Sequence, residues 1–287
     1  MLMRSAIARA RSAAALIRST VIPSKERIVD IATLDAKSQQ FRRELEERKQ
    51  QLAPAEFAWY PYGTLNNFFI LNQLLTGANR DFLDTVGDGL VVDIGAADGD
   101  TAFFLESLGY RVHAADFPPT NYNSCRGIKL LKQSFGSAVE ILETDLDARF
   151  DLPAERYELA FFLGILYHLK NPYLALESLA KRARHAFVST RVARFNIAAG
   201  NEGKEINSRR VEFRDVPVAY LVAPDETNND ATNYWMFSEA GLRRILHRSG
   251  WDVLDFMTLG NVKDSDPATA GGDERAFCYL RSRHFPD

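Results

Sequence analysis

Between Leu90 and Val192 the chain alternates short apolar runs with amphipathic stretches, and that rhythm admits few folds. Strands are expected over Leu90–Ile94, Arg111–Ala115, Val139–Leu142, Glu158–Leu163 and Ala186–Val192, with helices over Thr101–Leu108, Asn123–Phe135 and Pro172–Ala183. Apolar strands separated by helices belong in a parallel sheet covered on both faces. A helix over Ser238–Ser249 and strands over Val253–Thr258 and Arg275–Arg281 close the chain. The expected fold class is therefore α/β, doubly wound around a mostly parallel sheet with an antiparallel last strand.

Residues 1–85 differ in character and are expected to be an N-terminal helical extension to a domain spanning 86–287. Ile31–Leu52 is polar and rich in helix formers, with Phe41, Leu45 and Leu52 on one narrow stripe. The segment FAWYPYG, Phe57–Gly63, breaks regularity at Pro61 and Gly63 while carrying four aromatic residues. Aromatics on such a loop plug the edge of a core or help to close a neighbouring site. A buried helix is expected from Thr64, its cap, to Gly77. Ala193–Tyr234 is polar and irregular, with Asn196, Asn201, Asn207, Asn228, Asn229 and Asn233 scattered through it. A stretch this long without periodicity is disordered or functional; the second reading makes it a lid insertion, at about 193–236, over the active site.

Hydrophobic residues make up 46% of the chain and charged residues 25%, a balance that excludes disorder throughout. The two cysteines, Cys125 and Cys278, lie far apart and have no partner at metal-ligand spacing. Neither a disulfide framework nor a structural zinc site is supported, and a reducing, cytoplasmic location is expected. Residues 1–27 hold six basic residues against one acid, a surplus of five that leaves −8 for the remainder of a chain whose net charge is −3. An acidic body argues against a broad phosphate-binding surface. No apolar run approaches the ~20 residues that cross a bilayer, so a soluble protein is expected. The first twenty residues, rich in Arg, Ala and Ser, have the composition of a transit peptide or a membrane-surface helix; a short basic helix is the reading preferred here.

The segment LVVDIGAADGDTAFFLESLG carries the most chemistry. A strand ends at Asp93, a loop of small residues follows, and a helix begins near Thr101. Gly95, Ala97 and Gly99 let backbone pass close to a ligand, and the helix N-terminus with free loop amides makes a polar cradle at the carboxyl edge of the sheet. A dinucleotide-binding loop requires G-x-G-x-x-G, but counting from Gly95 gives Ala97 and then the charged Asp100. The dehydrogenase reading fails at that position.

An acid ending the strand and small residues at alternate positions, Asp93, Gly95, Ala97 and Gly99, resemble the first motif of class I S-adenosylmethionine-dependent methyltransferases, whose fold is Rossmann-like. The resemblance implies that these four residues hold S-adenosyl-L-methionine. It extends to YRVHAADF, where Asp116 stands seventeen positions after Gly99 and would receive the ribose hydroxyls, with Phe117 against the adenine. A carboxylate suits a cis-diol because it accepts two hydrogen bonds where no phosphate repels it. In ETDLD, Asp145 would accept from the adenine amino group and Leu146 would supply the neighbouring amide. The stretch GILYHLKNP is similar to that of tRNA wobble-uridine carboxymethyltransferases and related methyltransferases. It would place Leu163 and Gly164 beside the sulfonium and turn Tyr167 and His168 to the transfer site as catalytic residues. Asn171 and Pro172 read more simply as helix N-cap and first-turn proline, so NPY is not the amino-methyltransferase motif. The loop GAADGD departs from the Cys- and Ser-containing version of the wobble-uridine enzymes, which puts a carboxylated cofactor in doubt.

His168 could remove a proton from a hydroxyl or amine near neutral pH, or merely orient a loop. The leading expectation is a methyltransferase acting on an oxygen or nitrogen of a small or medium-sized metabolite, with Asn233, Tyr234 and Trp235 of the lid meeting the acceptor. Two alternatives are an RNA-modifying transferase of the wobble-uridine type and a non-catalytic cofactor-binding protein, the latter because Ala97 replaces a customary glycine. A small-molecule acceptor is favoured over RNA, and no metal site is expected.

Overall fold

The computed structural model describes residues 30–197, 210–263, 265–267 and 273–285. The basic first twenty residues, with Asn201 and Asn207 of the expected lid, lie outside the described residues. Apolar runs become β1 (Leu90–Ile94), β2 (Arg111–Asp116), β3 (Glu140–Glu143), β4 (Tyr157–Leu163) and β5 (Ala183–Val192). These five pair in parallel in the order β5-β4-β1-β2-β3. β10 (Trp251–Gly260) and β11 (Glu274–Ser282) extend the sheet beyond β5, and β11 runs antiparallel to both its neighbours. The fold is Rossmann-like, as the strand rhythm required.

Alternation along the strands divides the core in two. On one face Phe161 and Phe187 pack with α1 (Ile31–Leu52), α2 (Asn67–Leu74), α3 (Phe82–Val86), α4 (Asp100–Ser107) and α5 (Arg126–Phe135). On the other, Phe162 and Val188 pack with α6 (Pro172–Ala180) and α7 (Glu239–Arg248). The N-terminal helices thus share one apolar core with the sheet. Ile31, Leu34 and Leu45 of α1 are buried, and Phe68 of α2 meets Phe104 of α4 with ring centroids 4.9 Å apart.

Several boundaries differ from the sequence expectation. The helix expected over Thr64–Gly77 is a 3-10 turn at Thr64–Asn66 followed by α2, and Phe69 stays exposed. α5 starts at Arg126 because Ser124 and Cys125 take left-handed φ values of 57° and 59°. α6 ends at Ala180 and β5 begins at Ala183, so a polar strand start had looked like helix. The irregular 193–236 segment contains β6 (Phe195–Ile197) paired with β7 (Arg210–Glu212), and β8 (Ala219–Leu221) paired with β9 (Trp235–Phe237). Three-residue strands are too short to leave a period-2 signature. Where the segment leaves β5, Arg194 grips the fully buried Glu274 of β11 through Nε at 2.8 and 2.9 Å and Nη2 at 2.6 Å.

The chain leaves β1 for β2 on one side and returns for β4 on the other. This reversal opens a crevice at the carboxyl ends of β1 and β4, where ligands of such sheets bind.

Candidate functional site

The loop after β1 is held by geometry that few sequences satisfy. Gly95 has φ of +72°, and its N–H donates to Ala115 O at 2.8 Å. A Cβ at Gly95 would overlap the Ile165 side chain, so this position is closed to any other residue on two counts. Gly99 forms the N-cap of α4, also with left-handed backbone. Ala97, with φ of +51°, lies in a region that L-residues enter at a cost of about 1–2 kcal/mol. Its N–H donates to Asp116 Oδ2 at 2.8 Å, which fixes the turn although glycine is missing.

Asp116 ends β2 facing this turn. Its Oδ1 accepts from Phe117 N at 2.7 Å, and its Oδ2 accepts from Asn121 Nδ2 at 2.9 Å as well as from Ala97. Burial raises its pKa, while those three hydrogen bonds oppose the rise. A carboxylate offers about four acceptor sites, so roughly one is left for a ligand hydroxyl; a second would require the Asn121 amide to turn aside. Asn121 went unnoticed in the sequence because an asparagine in a polar loop has no distinguishing pattern.

A cavity of about 500 Å³ opens above these residues, a typical small-ligand volume. Gly95, Ala97, Asp116, Phe117, Asp145, Leu146, Gly164 and His168 all line it. Tyr60 and Tyr62 of the aromatic loop cover one side, and Asp230, Thr232 and Tyr234 of the 193–236 segment another. At the Asp116 end the side chains of Asp116, Asp145 and Asp147 face the cavity without a basic partner among its lining residues. Three carboxylates there suit an uncharged nucleoside and repel a pyrophosphate.

Other residues singled out from the sequence stand outside this lining. Asp93 is buried beneath the loop; Leu163 and Gly99 also stand back from the cavity. Asn233 is buried and donates to Thr227 O at 3.1 Å, holding the lid segment to itself. Trp235 turns to a separate apolar groove against α6, its Nε1 donating to Lys170 O at 3.3 Å. Pro172 takes the first turn of α6, but the Asn171 side chain reaches Asp147 O at 3.3 Å instead of capping.

Burial pushes Asp93 up to about 8, repulsion from Asp116 and Asp100 adds to the rise, and the N–H of Ala102 opposes it. The folded chain therefore keeps a proton on Asp93 that the unfolded chain, with an ordinary carboxyl near 3.9, releases. Stability falls as pH climbs between those values, because only the unfolded state gains by ionising. Asp93→Asn carries no such penalty. Its melting temperature relative to the parent should rise between pH 5 and pH 8 in calorimetric scans; a gap that stays constant would show that Asp93 is not held protonated.

Asp98, 1% exposed, was not singled out from the sequence, yet it ties three segments together. Its Oδ2 accepts from Lys49 Nζ of α1 at 3.3 Å and from Tyr60 N at 2.8 Å, and its Oδ1 accepts from Asn123 Nδ2 at 2.7 Å. Lys49 Nζ also reaches Asp100 Oδ1 at 2.9 Å. Gly127 of α5 leaves no room for a Cβ beside Asp98.

At the other end of the cavity, the 3-10 turn Leu166–His168 follows β4. Tyr167 is buried behind His168, with ring centroids 4.1 Å apart, and its hydroxyl accepts from Arg275 Nη1 at 3.4 Å. His168 is half-buried, and its Nδ1 stands 3.0 Å from both the carbonyl oxygen and Oγ1 of Thr232. Burial lowers its pKa below the usual imidazole value; the Thr232 carbonyl and Asp230 act against this, and Arg191 and Arg275 reinforce it. The ring is neutral at pH 7.

Residues 71–255 match the model of a family described as a methyltransferase domain, which covers more than half of the chain. The chain belongs to that family. Its structure is similar to the N-terminal domain of EvdMO1 crystallised in the presence of SAH and D-fucose, at 17% identity and a TM-score of 0.50, over 84% of this chain and 97% of that one. It also resembles the 1,6-didemethyltoxoflavin-N1-methyltransferase of Burkholderia thailandensis, at 20% identity and a TM-score of 0.45, over 68% of this chain and 71% of that one. No curated protein matches the sequence. Among the described residues no helix is long and apolar enough to cross a membrane, and no group of His, Cys, Asp and Glu could hold a metal ion.

Proposed function

We propose that this chain is an S-adenosylmethionine-dependent methyltransferase acting on an oxygen or nitrogen of a small or medium-sized metabolite. The observation that carries this reading is the Asp116 end of the cavity: a fixed turn of small residues, a carboxylate with acceptor capacity left, Phe117 beside it and Asp145 opposite. These residues fit an adenosyl group. Asp116 would accept from the ribose, Phe117 would lie against the base, and Asp145 and Leu146 would meet its polar edge. Bound there, the cofactor supplies a methyl group on a sulfonium, a leaving group that needs little further activation. The chain's contribution is then chiefly positioning and exclusion of water, by Gly164 at the end of β4, the Tyr60–Tyr62 loop and the Asp230–Tyr234 segment. His168, neutral and at the cavity wall, would take the proton that the acceptor gives up.

A metabolite fits the enclosure better than a nucleic acid does. The cavity is covered on two sides, and the acidic Asp116 end offers no phosphate-binding surface. The likeness of GILYHLKNP to wobble-uridine enzymes rests on that short stretch alone.

Titration calorimetry with S-adenosylhomocysteine tests the reading without knowledge of the acceptor. The parent should bind, and Asp116→Ala should bind about 10–100-fold more weakly, the equivalent of losing ~1–3 kcal/mol of charge-assisted hydrogen bonding. Equal affinity in the two proteins would overturn the assignment of Asp116, and no binding by the parent would overturn the function.

A further inference from the structure

His168, whose role as base rests on the function proposed above, has its protonation pattern dictated by the segment that covers the cavity. Thr232 Oγ1 donates to Asp230 Oδ1 at 2.6 Å, and Thr232 N donates to the same oxygen at 3.0 Å. A hydroxyl has one proton, and a carboxylate beside it at that distance claims it. Thr232 Oγ1 is left with lone pairs toward His168, and the Thr232 carbonyl has nothing else to offer. Both atoms that stand 3.0 Å from Nδ1 are therefore acceptors. An imidazole facing two acceptors through one nitrogen carries its proton there, which leaves Nε2 as the bare nitrogen for the cavity that His168 lines.

We infer that Asp230 and Thr232 are positioning residues that hold His168 as the Nδ1–H tautomer, and that the acceptor of this enzyme reacts through an atom that has a proton to lose. That class comprises hydroxyls and amines; a carboxylate, already ionised at neutral pH, gains nothing from a base here. In the transfer the acceptor's O–H or N–H bond breaks and its proton goes to Nε2. The electron pair of that atom forms the bond to the methyl carbon, and the pair of the broken carbon–sulfur bond stays on sulfur. Three charged side chains besides the ring itself act on it: Asp230, on the covering segment, favours the cation, whereas Arg191 of β5 and Arg275 of β11 disfavour it. The neutral ring, and hence the choice between its tautomers, is what matters near pH 7.

Histidine-labelled protein saturated with S-adenosylhomocysteine provides the test. Long-range proton–nitrogen correlations at pH 7.5 distinguish the two neutral tautomers directly, and His168→Gln identifies the signals. The parent should show the Nδ1–H form. Asp230→Asn frees the Thr232 hydroxyl to donate to Nδ1, and Thr232→Val removes the hydroxyl altogether; each should shift the signals toward a mixture of tautomers. An Nε2–H form in the parent, or variant spectra that match the parent, would overturn the inference. The same spectra can be recorded without S-adenosylhomocysteine, so a protein that fails to bind it still reports on the tautomer, and the two proposals fail separately. If the tautomer holds, Asp230→Asn should also lower the pH at which His168 titrates, because a negative charge beside the ring has gone.

Discussion

Valine at position 95 should abolish measurable binding of S-adenosylhomocysteine while leaving the chain folded. Two effects act together. A β-branched residue at φ of +72° costs about 1–2 kcal/mol in backbone strain, and the added Cβ overlaps the Ile165 side chain. The overlapping atoms are the outer carbons of Ile165, which can turn away, so the core need not open. The space into which they can turn is the cavity, since Gly95 and Ile165 both line it. The strain reaches the ligand site more than the fold, and an affinity loss beyond 100-fold is expected by calorimetry. Stability should fall by only about 2–4 kcal/mol, from strain plus overpacking. The double variant Gly95→Ala with Ile165→Ala removes the overlap but keeps most of the strain, and should recover part of the affinity. Unchanged affinity in Gly95→Val would mean that the cavity at this turn is not where the cofactor lies.

Gly95 illustrates what was legible in advance. A glycine directly after an apolar strand ending in Asp93 declares a tight turn, and the strand rhythm placed that turn at the carboxyl edge of the sheet. The ordered acids Asp116 and Asp145 followed from the same register, and the cavity brings both to its wall. Reading every motif residue as a ligand contact failed for Asp93, because alternation along a strand sends successive side chains to opposite faces and motif spacing does not reveal which one is covered. Trp235 and Asn233 were assigned to the acceptor along with Tyr234, yet the three point in different directions: into the α6 groove, into the segment's own interior and into the cavity. The lid strands β6 to β9 were too short to show a period. Asp98 was invisible for another reason: its partners Asn123, Tyr60 and Lys49 lie 25, 38 and 49 residues away, and no local pattern encodes such distances.

Asp98→Ala should destabilise the protein more than any other single change at the site. The substitution leaves three buried or half-buried donors without their acceptor: Lys49 Nζ, Tyr60 N and Asn123 Nδ2. Removing one partner from a buried charged pair costs about 3–5 kcal/mol, because the remaining charge keeps its desolvation penalty without compensation. At ~2–4 °C per kcal/mol for a chain of this size, the melting temperature should drop by roughly 10 °C. Lys49 retains Asp100 at 2.9 Å, so α1 stays attached, but the aromatic loop loses the only side-chain contact printed for Tyr60 N–H among the described residues. That loop carries Tyr60 and Tyr62 to the cavity wall, and weaker cofactor binding should accompany the lost stability. Asp98→Asn separates charge from shape: its oxygen can serve one donor, but its amide group meets Lys49 or Tyr60 N as a second donor. An intermediate loss is therefore expected from thermal melts of the three proteins side by side. A melting temperature for Asp98→Ala within 2–3 °C of the parent, less than ~1 kcal/mol of stability on the same scale, would show that the buried carboxylate does not hold α1, the aromatic loop and α5 to the cofactor turn.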